Sequence, residues 1–221
     1  MSMDARDEAK RAVGEAAAAL VQDGMTVGLG TGTTIAHFLP ALARRTPKIR
    51  CVATSPTTER AARELGLSLE PFDGRGVERI DLAVDGADQV GPDLWVVKGG
   101  GGAHTREKVV AAAAERFVVI ADWTKVVPAV RAPVPLELLP FGLAATIRLL
   151  TAIGPVRRRD AAATPDGNVL ADFDGEVGDP ATLSSALDAI PGLIGHGLFP
   201  PDLVADVLVG RQDGRVERLG G

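Results

Sequence analysis

The sequence predicts an α/β fold, in which a Rossmann-like parallel sheet forms a large domain and a ferredoxin-like α+β unit forms a smaller one. Three observations support this prediction. Apolar strand segments alternate with amphipathic helices through the first 130 residues, a glycine-rich loop (Gly30–Thr34) joins a strand to a helix, and the pattern changes after Pro133 and Pro135. We therefore expect domains at 1–130 plus 205–221 and at 131–204.

Elements of the large domain follow one another as strand, loop, helix and strand. The expected helices cover 4–21, 35–45, 57–65 and 105–114, and the expected strands cover 25–29, 50–53, 80–84, 94–97 and 117–121. Thr105 is a good N-cap, so the fourth helix is expected to begin there. Repeated βαβ units with right-handed crossovers predict a parallel sheet.

The smaller domain is predicted from shorter segments. Helices are expected at 141–153 and 182–190, and strands at 155–159, 169–173 and 193–197. Asp166-Gly167 is a hairpin turn signal. The apolar segment 205–209 is expected to return to the first sheet. Arg157 to Arg159 are interpreted as a solvated edge, with a role at an interface as the alternative.

Composition excludes several classes of function. The net charge of −5 argues against a general nucleic-acid binder, and a single cysteine, Cys51, allows no intrachain disulfide. No apolar run reaches the ~18 residues of a membrane span, and the charged N-terminal segment does not resemble a signal peptide. We expect a cytoplasmic protein with no membrane partner.

The loop Gly30-Thr31-Gly32-Thr33-Thr34 has the character of an anion site. Backbone N–H groups at a helix N-terminus attract negative charge, and the threonine hydroxyls add donors. A dinucleotide fingerprint would need glycine where the chain has Thr33, and a P-loop would need a lysine after the loop. The loop therefore suits a compact phosphate group, although a tight turn that only packs strand against helix remains an alternative.

The segment 85–108 concentrates charged side chains beside open backbone. It contains Asp85, Asp88, Lys98 and Glu107, with four glycines from Gly99 to Gly102. Taken one at a time, the aspartates could cap turns, Lys98 and Lys125 could be solvated, and Glu107 could be a favourable first-turn charge. Together, carboxylates, an ammonium and bare amides are what proton transfer beside a developing oxyanion requires.

The chain resembles the ribose-5-phosphate isomerase type A family nearly end to end. The resemblance is carried by GLGTGTT (28–34), DGAD (85–88), KGGGGA with TREK (98–108) and IADWTK (120–125), and it continues through PVPLELLP (133–140), DGNVLAD (166–172) and IPGLIGHGLF (190–199). It implies an isomerase of the non-oxidative pentose phosphate pathway that interconverts ribose 5-phosphate and ribulose 5-phosphate. It also implies no metal, no organic cofactor and a homodimer.

The same resemblance implies a role for individual residues. Glu107 would carry the proton, Asp85 would assist ring opening with Asp88 contacting the sugar, and Lys98 would stabilise the enediolate. The phosphate would lie at the Gly30–Thr34 loop. The implied substrate-binding residues are Lys10, Thr31, Gly32, Thr33, Thr34, Asp85, Gly86, Ala87, Asp88, Lys98, Gly99, Gly100, Gly101 and Lys125.

Two positions depart from the family pattern. Gln89 replaces an expected glutamate, and His104 replaces an expected Leu-like residue; we interpret His104 as a tolerated substitution rather than a second acid/base group. Rival functions are another sugar-phosphate enzyme of this fold, such as an amino-sugar-phosphate deaminase or a lactonase, and a sensor domain that binds a sugar phosphate. The former would need a catalytic His, and the latter would have no need of Glu107.

Overall fold

The computed structural model describes residues 5–45 and 48–220. The helices are α1 (Ala5–Ala18), α2 (Ile35–Arg44), α3 (Pro56–Glu64), α4 (His104–Ala113), α5 (Leu143–Thr151) and α6 (Pro180–Asp188). The strands are β1 (Thr26–Leu29), β2 (Arg50–Ala53), β3 (Ile80–Gly86), β4 (Gln89–Val90), β5 (Val96–Val97), β6 (Ala114–Asp122), β7 (Val134–Leu138), β8 (Val156–Arg158), β9 (Val169–Phe173), β10 (Leu193–His196), β11 (Leu198–Phe199), β12 (Asp206–Gly210) and β13 (Val216–Leu219). Within these described residues, every helix is too short or too polar to cross a bilayer.

The large sheet has the strand order β13-β12-β6-β3-β1-β2. All neighbours are parallel except β13, which pairs antiparallel with β12 at the edge. The chain leaves β1 for β2 on one side, whereas β3 pairs with the other side of β1. That reversal is a topological switch point, where open α/β sheets form a crevice at the carboxyl ends of their strands. The predicted parallel sheet and the return of segment 205–209 to it are confirmed.

The sheet is covered on both faces because side chains alternate along each strand. Leu82 and Val84 of β3 belong to the apolar cluster that includes Phe38 of α2. Ala83, between them, belongs to a second cluster with Val110 of α4. Burial on both faces explains why β1 and β3 are nearly continuous apolar segments.

A second, four-stranded antiparallel sheet has the order β10-β7-β9-β8. Its elements follow one another as β7-α5-β8-β9-α6-β10, which is the ferredoxin-like arrangement, so the predicted fold class is confirmed. Leu150 of α5 and Leu187 of α6 pack with Leu136 and Phe173 of this sheet. The division of the chain into domains at 131 and 204 stays a prediction.

Several details of the sequence prediction were wrong. Strand β7 was missed because Pro133 and Pro135 suggested a boundary. Pro135 nevertheless lies within the strand, where its carbonyl accepts a hydrogen bond from Gly197 N (2.7 Å). Helix α4 begins at His104 after Ala103, so Thr105 is not its N-cap. The strand expected at 94–97 is confined to Val96–Val97, because Leu94 has a φ of 63°. The first residue of the helix predicted at 4–21, Asp4, lies outside the described residues.

Candidate active site

The carboxyl ends of β1 and β3 bring the glycine-rich loop against residues 85–88, which we call the acidic turn. Gly30 lies so close to Asp85 that a Cβ at position 30 would be 2.0 Å from the carboxylate. Thr31 N–H and Gly86 N–H each donate to Asp85 Oδ1, at 3.0 and 2.7 Å. Glycine at position 30 therefore allows the aspartate to sit beneath the loop, where two backbone donors fix its orientation.

A cluster of hydroxyl groups from the end of β2 and the start of α3 holds the same loop. The Thr31 hydroxyl lies 2.9 Å from Thr54 Oγ1 and 2.8 Å from Ser55 Oγ. Thr58 Oγ1 donates to Gly30 O at 2.8 Å. Thr54, Ser55 and Thr58 were not predicted as site residues, although polar residues directly after the parallel strand β2 were the available signal. The Thr31 hydroxyl is consequently engaged within the protein.

Thr33 and Thr34 occupy the amino-terminal end of α2. Thr33 is exposed, and Thr34 is the N-cap residue but makes no side-chain capping bond. The first N–H groups of a helix lack intrahelical partners, and the helix dipole places partial positive charge there. This end of α2 therefore offers hydroxyl and amide donors to an anion in the cleft.

Lys98 lies at the centre of the site. Its side chain is 3% exposed, and Nζ lies 3.0 Å from Asp85 Oδ2 and 3.1 Å from Glu107 Oε2. It also donates a hydrogen bond to Gly86 O at 2.7 Å. The contact with Glu107 is an ion pair without an aligned hydrogen bond, so Oε2 keeps its hydrogen-bonding capacity although it is buried.

Burial governs the protonation of this cluster. Desolvation, followed by the charge of Asp85, raises the pKa of Glu107 to about 8, against the pull of Lys98. Burial also raises the pKa of Asp85, and Lys98 and the two backbone donors oppose that rise. The nearby carboxylates raise the pKa of Lys98 against its own desolvation, which keeps it an ammonium. Two acids thus share one cation, and Glu107, which has fewer donors than Asp85, has a pKa close to neutral pH.

The four glycines follow Lys98 as a tight turn. Gly99 has a φ of 104°, and its carbonyl accepts from Gly102 N at 3.0 Å. Gly100 N–H donates to Asp88 Oδ2 at 2.7 Å, which fixes that carboxylate at the rim. Gly101 is exposed on the cleft, and its N–H has no hydrogen-bond partner among the described atoms. The turn therefore orients one carboxylate and leaves one amide open to a ligand.

These groups line one cleft of about 490 Å³, counting its open mouth. Most of the predicted site residues line it directly: Thr31, Gly32, Thr33, Thr34, Gly86, Ala87, Asp88, Lys98, Gly99, Gly100, Gly101, Glu107 and Lys125. Asp85 lies behind the lining, against Lys98. Lys10 lies buried on α1, outside the described residues that form the lining. The cleft thus joins an anion site to a carboxylate–ammonium pair, which suits proton transfer on a phosphorylated compound.

A family model for ribose 5-phosphate isomerase A (phosphoriboisomerase A) matches residues 50–214. The chain belongs to this family. A relative named ribose-5-phosphate isomerase A from Caulobacter vibrioides (strain NA1000 / CB15N) is 47% identical, over 95% of this chain and 97% of the relative.

Solved structures of this isomerase family have the same fold. The ribose 5-phosphate isomerase A of Neisseria gonorrhoeae superposes with a TM-score of 0.91 at 32% identity, over 97% of each chain. A D-ribose-5-phosphate isomerase solved in complex with phospho-erythronic acid superposes with a TM-score of 0.92 at 32% identity, covering 99% of this chain and all of that one.

The two departures from the family pattern lie away from the cleft lining. The Gln89 side chain forms two hydrogen bonds with the backbone of Arg131. It donates to the carbonyl (2.7 Å) and accepts from the N–H (2.9 Å). His104 is fully buried, with Nε2 3.4 Å from Gly195 O, and burial lowers its pKa to about 4. In this member of the isomerase family, His104 is a neutral packing residue at neutral pH.

Proposed function

We propose that this chain interconverts D-ribose 5-phosphate and D-ribulose 5-phosphate through an enediolate intermediate. The observation that carries the proposal is the placement of Glu107, which is buried within 3.1 Å of Lys98 and faces the cleft that the glycine turn lines. A carboxyl with a pKa of about 8 loses and regains a proton readily at neutral pH.

The phosphate group binds at the amino-terminal end of α2. Thr33 and Thr34 donate from hydroxyls and backbone amides, and Gly32 leaves the approach open. Lys125, at the turn that follows β6, supplies positive charge on the opposite wall. We also assign Lys10 to phosphate binding. Because α1 packs on α2, the Lys10 ammonium adds long-range electrostatic attraction for a phosphate at the end of α2.

The sugar binds between the acidic turn and the glycine turn. Asp85 takes the anomeric hydroxyl proton as the C1–O4 bond of the furanose ring breaks and its electron pair goes to O4, and Asp85 then returns the proton to O4. Lys98 holds Asp85 in place. Asp88, oriented by Gly100 N–H, accepts from a sugar hydroxyl. The backbone at Gly86 and Ala87 completes this wall of the cleft.

Isomerisation then moves one proton between neighbouring carbons. The Glu107 carboxylate removes the proton from C2 of the open aldose, and the electron pair of that bond forms the C1–C2 double bond while the carbonyl electrons move to O1. The resulting enediolate is stabilised by Lys98 and by amides of the run from Gly99 to Gly101. Glu107 returns the proton to C1, the O2 hydroxyl proton moves to O1, and the ketose forms. A base contributes ~10²–10⁴-fold, and each oxyanion donor ~10²–10³-fold.

An assay of ribose 5-phosphate conversion in the presence of EDTA tests the proposal. We expect full turnover in EDTA, and we expect Glu107→Gln to abolish turnover while the substrate still binds, because the substitution keeps shape and removes basicity. Glu64→Gln, at an exposed position on α3, is the matched control. Normal turnover by Glu107→Gln would remove Glu107 from the mechanism, and an inactive wild-type chain would refute the function.

The rival functions have less support. A deaminase or a lactonase would need a catalytic His. None of the three histidines is among the described residues that line the cleft, and His104 and His196 are buried. A sensor would not need a buried, proton-exchanging Glu107. We further propose that the isomerase is a cytoplasmic homodimer.

A further inference from the structure

Arg159 connects the four-stranded sheet, which we call the small sheet, to the glycine turn (residues 99–102) of the cleft. It follows β8, its side chain is only 17% exposed, and its Nη1 donates to Gly99 O at 3.0 Å and to Gly100 O at 3.2 Å. The side chain is not among the described residues that line the cleft, which come from the Gly30–Thr34 loop, the acidic turn, Lys98 with the glycine turn, α4 and the turn after β6. The expectation of a solvated edge was therefore wrong for Arg159, and the alternative of an interface role stays a prediction.

Asp172 of β9 fixes the orientation of this guanidinium. Arg159 Nε lies 3.0 Å from both carboxylate oxygens of Asp172, and Nη2 lies 2.6 Å from Oδ1. Asp172 is itself buried. Since one side of the planar fork is held by the carboxylate, Nη1 is left to point at the two glycine carbonyls. A lysine could not make both sets of contacts, because its ammonium is a single point.

Peptide planarity carries this orientation into the cleft. In a trans peptide the N–H points opposite to the carbonyl of the preceding residue. Holding Gly99 O therefore directs Gly100 N–H away from Arg159, to Asp88 Oδ2 at 2.7 Å. Holding Gly100 O likewise directs Gly101 N–H away from Arg159, and that amide has no hydrogen-bond partner among the described atoms.

The imidazole ring of His104 blocks the other side of Gly99. A Cβ at position 99 would lie 2.7 Å from His104 Nδ1, so the turn cannot shift in that direction. The glycine turn has no side chains of its own with which to hold a conformation. Its position is set from outside, by the His104 ring on one side and the Arg159 fork on its carbonyls.

We propose that Arg159, buttressed by Asp172, is a positioning residue for the isomerisation: it aligns the open amide of Gly101 with the charge that develops on the substrate, and it holds the amide of Gly100 on Asp88. The proposal rests on the proposed function. Hydrogen bonds in series strengthen one another, so a guanidinium on a peptide carbonyl also makes the N–H of that peptide a better donor. Arg159 touches no reacting atom, and it acts through the backbone of the turn.

Steady-state kinetics of Arg159→Met and Arg159→Lys test this role. We expect kcat to fall by about tenfold to a hundredfold in both variants, a part of the ~10²–10³-fold that an oxyanion donor contributes. KM for ribose 5-phosphate should change less than threefold, because the phosphate binds at the other end of the cleft. Binding of phospho-erythronic acid, whose planar carboxylate carries charge where the enediolate does, should weaken in parallel with kcat.

Arg157→Met is the matched control. Arg157 also contacts Asp172 (3.1 Å) and Asp174 (3.0 Å), but it is 57% exposed and has no contact with the glycine turn. Hydrogen exchange of segment 98–104 should accelerate in Arg159→Met and stay unchanged in Arg157→Met. Arg157 also keeps Asp172 paired in Arg159→Met, which favours folding of that variant.

Three outcomes would overturn the inference. They are a folded Arg159→Met with kcat within twofold of wild type, a matching loss of kcat in Arg157→Met, and a rise in KM with kcat unchanged. A fully active Arg159→Lys would refute the requirement for the fork. Because the wild type is assayed in parallel, a wild-type chain without ribose 5-phosphate turnover would be a failure of the proposed function and not of Arg159.

Discussion

Lys98 and Glu107 show what a single buried residue can do once it is fixed by its neighbours. Lys98 lies against three acceptors at once, two carboxylates and the carbonyl of Gly86. One hydrogen bond to the Gly86 carbonyl and two ion pairs hold the ammonium in place without any contact to substrate. Glu107 has one such neighbour, and its oxygen Oε2 has no hydrogen bond among the described atoms. The difference fits a fixed electrostatic centre beside an acid/base group that is free to act.

A stability cost should accompany the raised pKa of Glu107. The pKa rises from 4.5 to about 8 on folding, so the contribution of the Glu107 carboxyl to stability is fully present below about pH 4.5 and is lost as pH rises through about 8. Glu107→Gln removes this loss. We expect the Tm of Glu107→Gln to exceed that of the wild type by several degrees at pH 8 and by little at pH 4.5. Equal differences at the two pH values, measured by calorimetry, would contradict a buried carboxyl with a raised pKa.

At residue scale the sequence identified the chemistry but not its environment. Asp85, Lys98 and Glu107 could be selected because they lie in one segment beside four glycines. Their burial could not be predicted, since it depends on distant segments such as β11, which begins only at Leu198 and places the Phe199 ring against the Lys98 ammonium. The sequence also allowed Glu107 to be only a favourable first-turn charge, whereas in the structure burial raises the pKa of its carboxyl.

At the scale of elements, the contact between the β1 loop and the end of β3 is the most sensitive feature of the site. Gly30→Ala would drive a methyl group into the Asp85 carboxylate. We expect the variant to lose kcat by at least tenfold, because Asp85 and then Lys98 must move. Gly24→Ala, in a turn with open space around it but with a φ of 87°, is a control for general strain. Normal kcat in Gly30→Ala would show that the packing tolerates displacement.

The start of α2 carries the second prediction at this scale. Thr33→Ala with Thr34→Ala should raise KM for ribose 5-phosphate about tenfold with kcat nearly unchanged, because phosphate contacts form equally in the ground state and the transition state. Increasing inorganic phosphate should inhibit this variant less than the wild type. A loss of kcat with unchanged KM would show that the phosphate lies elsewhere.

Elements with strong local signals were predicted well, and those fixed by pairing were not. Strands β2 and β9 were predicted at their observed bounds, because each is an apolar run between turn residues. Strand β7 was missed because its prolines outweighed its five buried residues, and the exposed edge strand β13 carries no apolar run. The hydroxyl cluster of Thr54, Ser55 and Thr58 joins the site only through the β1–β2 pairing, which no local pattern specifies.

At the scale of the whole molecule, a third, three-stranded antiparallel sheet of order β11-β5-β4 connects the large sheet and the four-stranded sheet beside the glycine turn. Lys98 N–H donates to Gly197 O at 2.9 Å, and β5 pairs with β11, which follows directly from β10. Arg159 adds the contact described above. Residues of the small sheet and the segment after it therefore hold Lys98 and the glycine turn in place. These contacts allow the small sheet to affect the reaction without reaching the cleft.

The homodimer is the prediction that belongs to the molecule as a whole. Light scattering of the purified chain should give twice 22.9 kDa, or about 46 kDa, at micromolar concentration. Dilution should not change this mass if the interface is of standard size. A mass near 23 kDa at the concentrations used for the assay would refute the dimer and leave the proposed chemistry intact, because every group assigned to it lies on one chain.

Proton exchange in D2O tests the central claim, that Glu107 moves one hydrogen between C1 and C2. The reaction is followed by NMR, with EDTA present, for the wild type and for Glu107→Gln. We predict that the wild type introduces deuterium at only one of the two C1 positions of ribulose 5-phosphate, since a single carboxylate serves one face of the enediolate. Glu107→Gln should give neither product nor exchange. Labelled product from Glu107→Gln at the wild-type rate, or label divided equally between the two C1 positions, would contradict the account.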